Sequence, residues 1–496
     1  MLFNSLQFLF FFPIVTLIYF LLPHRWRWLH LLIASCIFYM AFIPVYILIL
    51  IFTIVIDYIA GIMIAKATGP KRKAYLVMSL IANIGVLSVF KYYNFFIDNI
   101  NDLLQSAHIT TYSLPFLDII LPIGLSFHTF QAMSYTIEVY RGHQEPERHF
   151  GIYSLYVMFY PQLVAGPIER PQNILHQFYE KKHFNYTDAT EGLKQMMWGM
   201  FKKVVIADRL AKITNPVFND AHHYTPTALL IGALFFSFQI YCDFSGYSDI
   251  ALGAARIMGF KLMTNFNKPY RSKNVSEFWR RWHISLSSWF RDYLYISLGG
   301  SRVSIPRWYF NLFFVFLVSG FWHGANWTFV VWGALHGFYL IFAIITEKAR
   351  NGINRTLGLI SRPRLLGFLQ MITTFCLVLV AWVFFRANTI HDAFYIIGRF
   401  PAALGDLGSF ITHGKFSGES VKSLIGFMPV YELDLQLSFL LIILLQAIEW
   451  FQTYNDVPAL IRKRPIYIRW TLYYIMLAVI IFFGVYDNRQ FIYFQF

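Results

Sequence analysis

Uncharged apolar runs recur from one end of this chain to the other, and that pattern restricts what it can become. A helix needs about 20 predominantly apolar residues to cross a bilayer. Residues 2–22 (LFNSLQFLFFFPIVTLIYFLL) meet that need with no charge at all. Only 14% of the 496 residues are charged and 57% are hydrophobic, against about 25% charged in an ordinary soluble protein. The expectation is an all-α integral membrane protein, a single polytopic domain over 1–496. The first run lacks a basic leader and a small-residue cleavage site, so it reads as a retained span rather than a signal peptide.

Hydropathy places further spans near 28–44, 45–65, 75–97 and 114–139, then less regular segments at 150–167, 190–212 and 226–260. Others follow at 275–298, 308–322, 326–347, 365–386, 435–453 and 467–486. The middle segments carry charges, prolines and glycines, which membrane depth tolerates only where protein or a water-filled cavity surrounds them. The expected organisation is therefore N-terminal spans over 1–140, a core with re-entrant segments over 141–347, and C-terminal spans over 348–496. About eleven crossings are expected.

The basic segments KATGPKRK (66–73), 347–364 and IRKRPIYIR (461–469) assign the cytoplasmic side by the positive-inside rule. Both termini and the loop 387–434, with Gly405, Gly408, Gly414 and Gly418, then fall outside. That loop reads equally as a partner-docking element or as a connection without a role. The net charge of +15 comes mostly from residues flanking spans, so no nucleic-acid partner is expected. Cys36, Cys242 and Cys376 lie in separate apolar segments without metal-type spacing, and no metal is expected.

Three segments carry candidate chemistry. In residues 267–302, continuous helical spacing puts Trp279, Trp282, His283, Leu286 and Phe290 on one face, with Arg280, Arg281 and Arg291 elsewhere and Lys268, Arg271 and Lys273 just before. Such a basic cluster beside a cavity suits a multiply phosphorylated ligand. It equally suits a cytoplasmic flank with interfacial tryptophans. In SGFWHGANW (319–327), Gly320 and Gly324 permit close backbone approach, while Asn326 and Trp327 offer a hydrogen bond and a wall. His323 there is either a proton carrier for acyl transfer or a neutral histidine bonded to a neighbouring helix. His128 and His336 read as packing residues.

In residues 237–260, Gln239, Asp243 and Asp249 form a polar network, with Arg256 or the arginines of 280–291 as expected partners. Asp57 and Lys91 interrupt neighbouring spans and are expected to pair. The prolines and glycine of MFYPQLVAGPIERP (158–171) preclude a continuous helix and point to a re-entrant element lining the cavity.

The ordered segments 121–142, 160–171, 241–260, 265–302, 319–337 and WVFFRA (382–387) resemble the membrane-bound O-acyltransferase family, within it the alginate O-acetyltransferase branch. The resemblance implies a ring of spans around tilted inner helices that form a funnel from each face. It implies His283 and His323 as the functional pair, with His323 the catalytic member. It further implies acetyl-CoA as donor, with no permanently bound cofactor, and a bacterial inner-membrane location among membrane lipid. The implied recipient is an SGNH-hydrolase-like periplasmic partner that acetylates an exported polysaccharide. Two alternatives remain at this point: D-alanyl transfer, as in the teichoic acid branch, and a transporter that does no chemistry.

Overall fold

The computed structural model describes residues 1–108, 113–118, 121–164, 166–413, 426, 432–486 and 491–492, and every regular element among them is helical. Among the described residues, seven helices are long and apolar enough to cross a membrane. The expected eleven crossings are not matched one for one, because several predicted spans are short, polar or broken.

Burial separates an inner set of helices from an outer set. The Pro226–Ile257 helix has 83% of its apolar window buried within the protein, whereas Ile466–Phe483 has 6% and Gly69–Ser106 has 17%. Pro226–Ile257 is therefore the central pillar, and the other two turn mainly towards lipid. Antiparallel to the pillar runs a 34-residue rod from Tyr186 to Asn219. At 1.5 Å per residue it is about 50 Å long, enough to reach both faces of a bilayer. A π-helical stretch, Phe201–Ala207, widens the rod halfway along. All seven of its residues are buried, including Lys202 and Lys203.

Those two lysines correct one expectation. The partners of the central carboxylates come from the rod, not from Arg256 or the arginines of 280–291. Lys203 Nζ lies 2.7 Å from Asp243 and 2.9 Å from Asp208, and Lys202 Nζ lies 2.6 Å from Asp249. Arg256 pairs with Asp188 at 3.2 Å instead. Gln239 accepts a hydrogen bond from the Thr214 hydroxyl. Buried charges persist when they are paired and hydrogen-bonded, and this network ties rod to pillar.

The Asp57–Lys91 pair is not formed. Asp57 accepts hydrogen bonds from Ser79 (2.6 Å) and Asn83 (2.9 Å) across neighbouring helices, while Lys91 turns into the site described below.

Two predicted spans are broken. Residues 113–118 and 121–124 are not helical, and a helix begins only at Leu125. Residues 275–298 split into Val275–Arg281, Ile284–Trp289 and a π-helical turn, Phe290–Tyr295. The Pro/Gly-rich 158–171 segment is interrupted as expected: helices cover Phe150–Met158, Tyr160–Leu163 and Pro171–Tyr179. The 387–434 connection holds two helices, Ile390–Gly398 and Phe400–His413, rather than a featureless loop. Gly414 and Gly418 lie outside the described residues.

Candidate active site

The helices Ile305–His323 and Trp327–Ile345 form a tight hairpin. At their crossing a Cβ on Gly320 would stand 2.3 Å from the Phe329 carbonyl oxygen, and one on Gly333 would stand 2.4 Å from that of Phe316. Only glycine allows this approach, and the approach sets where His323, the last residue of the first helix, comes to rest. The side chain of Asn326 caps the second helix by accepting from the Thr328 N–H at 2.9 Å.

His323 is buried, at 5% exposure. The rings of Trp322, Trp332 and Phe385 surround it, with centroids 4.9, 5.0 and 5.2 Å away. The Lys91 ammonium reaches across from another helix and donates to the main-chain carbonyls of Trp322 and His323, at 2.8 Å each. Those carbonyls belong to the helix C-terminus, where intrahelical donors run out and a cation is favoured. Lys91 itself lies in a π-helical turn, Ser88–Tyr92.

His283 reaches the same region from a break in the chain. Its backbone is left-handed, with φ at +43°, a conformation that costs a non-glycine residue about 1–2 kcal/mol. The break is held on both sides: Asn267 N–H donates to the Arg281 carbonyl and Ile284 N–H to that of Asn265, both at 2.9 Å. The Asn265 side-chain oxygen accepts from the Ser285 hydroxyl at 2.7 Å and lies 3.3 Å from His283 Nδ1. Ser285 in turn accepts from the Ile168 N–H at 3.0 Å, so the interrupted 158–171 segment packs directly against the histidine turn. His283 Nε2 has no partner among the described residues. With Nδ1 facing the carboxamide oxygen, Nδ1 carries the proton and Nε2 is left as a base.

One aromatic relay joins the two histidines. The Phe127 ring stacks on His283 at 6.1 Å and meets Trp322 edge-on at 5.8 Å, and Trp322 meets His323.

Three cavities lie around this region, and His323 lines the smallest. The largest, about 960 Å³, reaches Asn265, Phe266 and Lys268, and is lined by Lys194, Lys202 and Arg256 on the rod and pillar. A cavity of about 630 Å³ is lined by Asn215, Asn219, Asn326, Arg386 and Asn388. A small one of about 40 Å³ holds His323, Lys91, Phe127 and Val164. Lys91 and Leu121 line both of the last two. The rod's first half lines the large cavity and its last turns line the polar one, so the two open towards opposite ends of the bundle. The end holding the large cavity also holds Lys273, which packs on Gly367 next to the basic 347–364 segment.

The sequence-expected binding residues divide accordingly. Lys268 lines the large cavity. Arg281 is committed to Glu277 at 2.8 Å, and Arg271 to the Thr453 hydroxyl at 2.7 Å. Lys273 uses its main-chain N–H on Glu277, Arg280 is exposed, and Arg291 pairs with Asp292. Trp282 packs on Trp382 and Phe278, while Trp279 donates to His336 at 3.3 Å. Both indoles are buried in the core, and Trp279 also lines a cavity of about 230 Å³ with Leu286 and Phe290. Trp327 is 51% exposed and donates to Asn99 at 2.9 Å, outside the cavities, whereas Asn326 lines the polar cavity.

Sequence reasoning missed Lys91 as a helix cap, Asn265 and Arg386. It also missed the end of the chain. Phe491 packs on Phe244 and Tyr247, and the Ile492 N–H donates to Asp243 at 2.8 Å. Phe244 also meets His283, with centroids 4.7 Å apart.

His283 and His323 lie buried in the interior of the helical bundle, with a cavity towards each end of the rod. Residues 149–382 match the membrane-bound O-acyltransferase family. A probable alginate O-acetylase of Pseudomonas aeruginosa is 42% identical over 79% of this chain and 73% of its own length. The chain belongs to the membrane-bound O-acyltransferase family and is an acyltransferase. A peptidoglycan O-acetyltransferase of Helicobacter pylori is 37% identical over 80% of this chain and 79% of its own. A teichoic acid D-alanyltransferase of Bacillus subtilis is 26% identical over 54% and 69%.

Proposed function

We propose that this protein takes acetyl from acetyl-CoA at the cytoplasmic face and passes it, through the site between His283 and His323, towards the outer face for O-acetylation of an exported polysaccharide. The observation that supports this reading is the pair of buried histidines between a large cavity on the first half of the rod and a polar cavity on its last turns, with His323 lining a small cavity that shares Lys91 and Leu121 with the polar one. The large cavity opens beside the basic segments, which the positive-inside rule assigns to the cytoplasm. Lys268 at its rim provides a cation for the phosphates of CoA, beside Lys194 and Arg256, which are each paired with a carboxylate of the rod. The end of the bundle that carries Asn219 and Asn388 then faces out of the cell, and the inner membrane of a bacterium supplies the matching topology.

The acyl group reaches the core with its thioester carbonyl next to His283, whose Nε2 is the available nitrogen. His323 acts as general base on a hydroxyl that enters through the polar cavity, taking its proton as the oxygen attacks the carbonyl carbon and the thiolate of CoA leaves. Lys91 keeps His323 in register through the two carbonyls. Excluding water from the relay of Phe127 and Trp322 protects the acyl group from hydrolysis. The hydroxyl belongs to an SGNH-hydrolase-like periplasmic partner or to an acceptor that such a partner delivers.

Identities of about 40% to O-acetylating enzymes over most of the chain, against 26% over about half of it to a D-alanyltransferase, favour acetyl as cargo. The test is reconstitution in vesicles with labelled acetyl-CoA inside and the candidate partner outside. Label appearing on the external partner supports the reading. Transfer of D-alanine from a carrier protein, with none of acetyl, overturns it.

A further inference from the structure

At the end of the bundle opposite the basic loops, two segments far apart in sequence bring three metal-binding side chains together. His222 sits in the short turn between the rod and the pillar, and His391 and Asp392 sit in the first turn of the Ile390–Gly398 helix. One ligand atom from each lies within 4.8 Å of the other two. His222 Nε2 is 3.3 Å from Asp392 Oδ1. A tetrahedral zinc ion with ligands at about 2.0–2.1 Å separates neighbouring donors by about 3.3 Å, so this edge already has the required length. The two imidazole rings lie 5.6 Å apart and 22° from parallel, and a side-chain rotation of His391, which is exposed, brings its nitrogen onto the third vertex.

The groups around the cluster hold it in place as outer partners of a metal site do. The Thr389 hydroxyl donates to Asp392 Oδ2 at 2.8 Å, which leaves Oδ1 turned to His222. The Tyr395 ring lies 4.0 Å from that of His222. His223 is bound to Asp220 and stays out of the cluster.

We propose that His222, His391 and Asp392 form a binding site for one divalent transition-metal ion, zinc being the best match to two imidazoles and a carboxylate, with a fourth position left for water or an incoming ligand. The site is separate from the chemistry at His323. Its position gives it a mechanical role. Asn219, three residues before His222, and Asn388, three residues before His391, both line the polar cavity. A bound ion ties those two segments together.

The test uses the full-length protein in detergent micelles, with its purification tag removed and metal stripped by chelator. It is titrated with Zn²⁺ by calorimetry and with Co²⁺ by visible absorption, alongside His391→Ala, Asp392→Asn and His222→Gln. The expected result is one saturable Zn²⁺ per chain and a tetrahedral Co²⁺ spectrum. Affinity should fall on the order of 100-fold or more in the variants, with an increase in thermal midpoint on Zn²⁺ addition in the wild type alone. All three side chains are at least partly exposed, so the variants are expected to elute as the wild type does in size exclusion. No saturable binding by the wild type overturns the proposal, as does wild-type affinity in every folded variant.

Discussion

Lys91→Met isolates the contribution of helix-end fixation to transfer. The substitution keeps the length and apolar stem of the side chain and removes the two hydrogen bonds that its ammonium gives to Trp322 and His323, at 2.8 Å each. Hydrogen bonds to a charged group contribute about 1.5–3 kcal/mol each. Losing both would cost about 3–6 kcal/mol locally if nothing opposed it. Relief from burying the ammonium does oppose it, so the global loss should be small, about 0–3 kcal/mol, and the protein should stay folded. The effect should fall on geometry: the last turn of the helix loses its tether and His323 shifts. A displacement of about 1 Å at a reacting group costs on the order of 100-fold in rate. The assay is single-turnover transfer from labelled acetyl-CoA in vesicles, with donor affinity measured separately. The expected result is a large fall in rate with donor affinity unchanged, since Lys91 lies away from the large cavity. A folded Lys91→Met protein with the wild-type rate refutes the reasoning.

Asn265→Leu leaves the His283 turn without the oxygen that faces Nδ1 and accepts from Ser285, and transfer should fall at least tenfold in the same single-turnover assay. Lys203→Met removes the cation that Asp208 and Asp243 share in the interior; unfolding in detergent should show a loss of about 3–5 kcal/mol, and an unchanged midpoint would contradict the network. Gly320→Val drives side-chain atoms into the Phe329 carbonyl and should abolish a correctly folded hairpin, read by protease protection of residues 305–345. Lys268→Glu at the rim of the large cavity should raise KM for acetyl-CoA with little change in kcat, and the effect should shrink as salt screens the phosphates.

Much of the architecture was legible because apolar length and charge asymmetry report membrane spans directly. The interrupted 158–171 segment was legible too, since proline leaves a helix few options. The histidine turn was hidden for a definite reason. Helical periodicity assumes an unbroken helix, and nothing in RRWHISLS signals that a histidine rather than a glycine takes the left-handed conformation at 283. Grouping Trp279 and Trp282 with His283 on one face followed from that assumption, and both tryptophans belong to the core. The lysine partners of Asp243 and Asp249 escaped notice because Lys202 and Lys203 are adjacent in sequence. In a regular α-helix adjacent residues diverge by about 100°, whereas the π-helical stretch brings both inward. Lys91 was matched with Asp57 by depth alone, and depth says nothing about which neighbour a side chain faces. His323 stood out in SGFWHGANW with its role open, and the resemblance chose it and His283 as the functional pair; their connection through Phe127 and Trp322 is a property of the folded chain.

The most direct test of the central claim is the rate of acetyl transfer by His323→Ala, measured in vesicles with labelled acetyl-CoA inside and the periplasmic partner outside. It should be set beside wild type and a folded control such as His336→Gln. Loss of a general base lowers the rate by about 10²–10⁴-fold, and the account predicts a loss in that range for His323→Ala, with folding and donor binding retained. Transfer by the folded His323→Ala protein at the wild-type rate would contradict it, and would leave His323 as a packed residue in a site that works by other means.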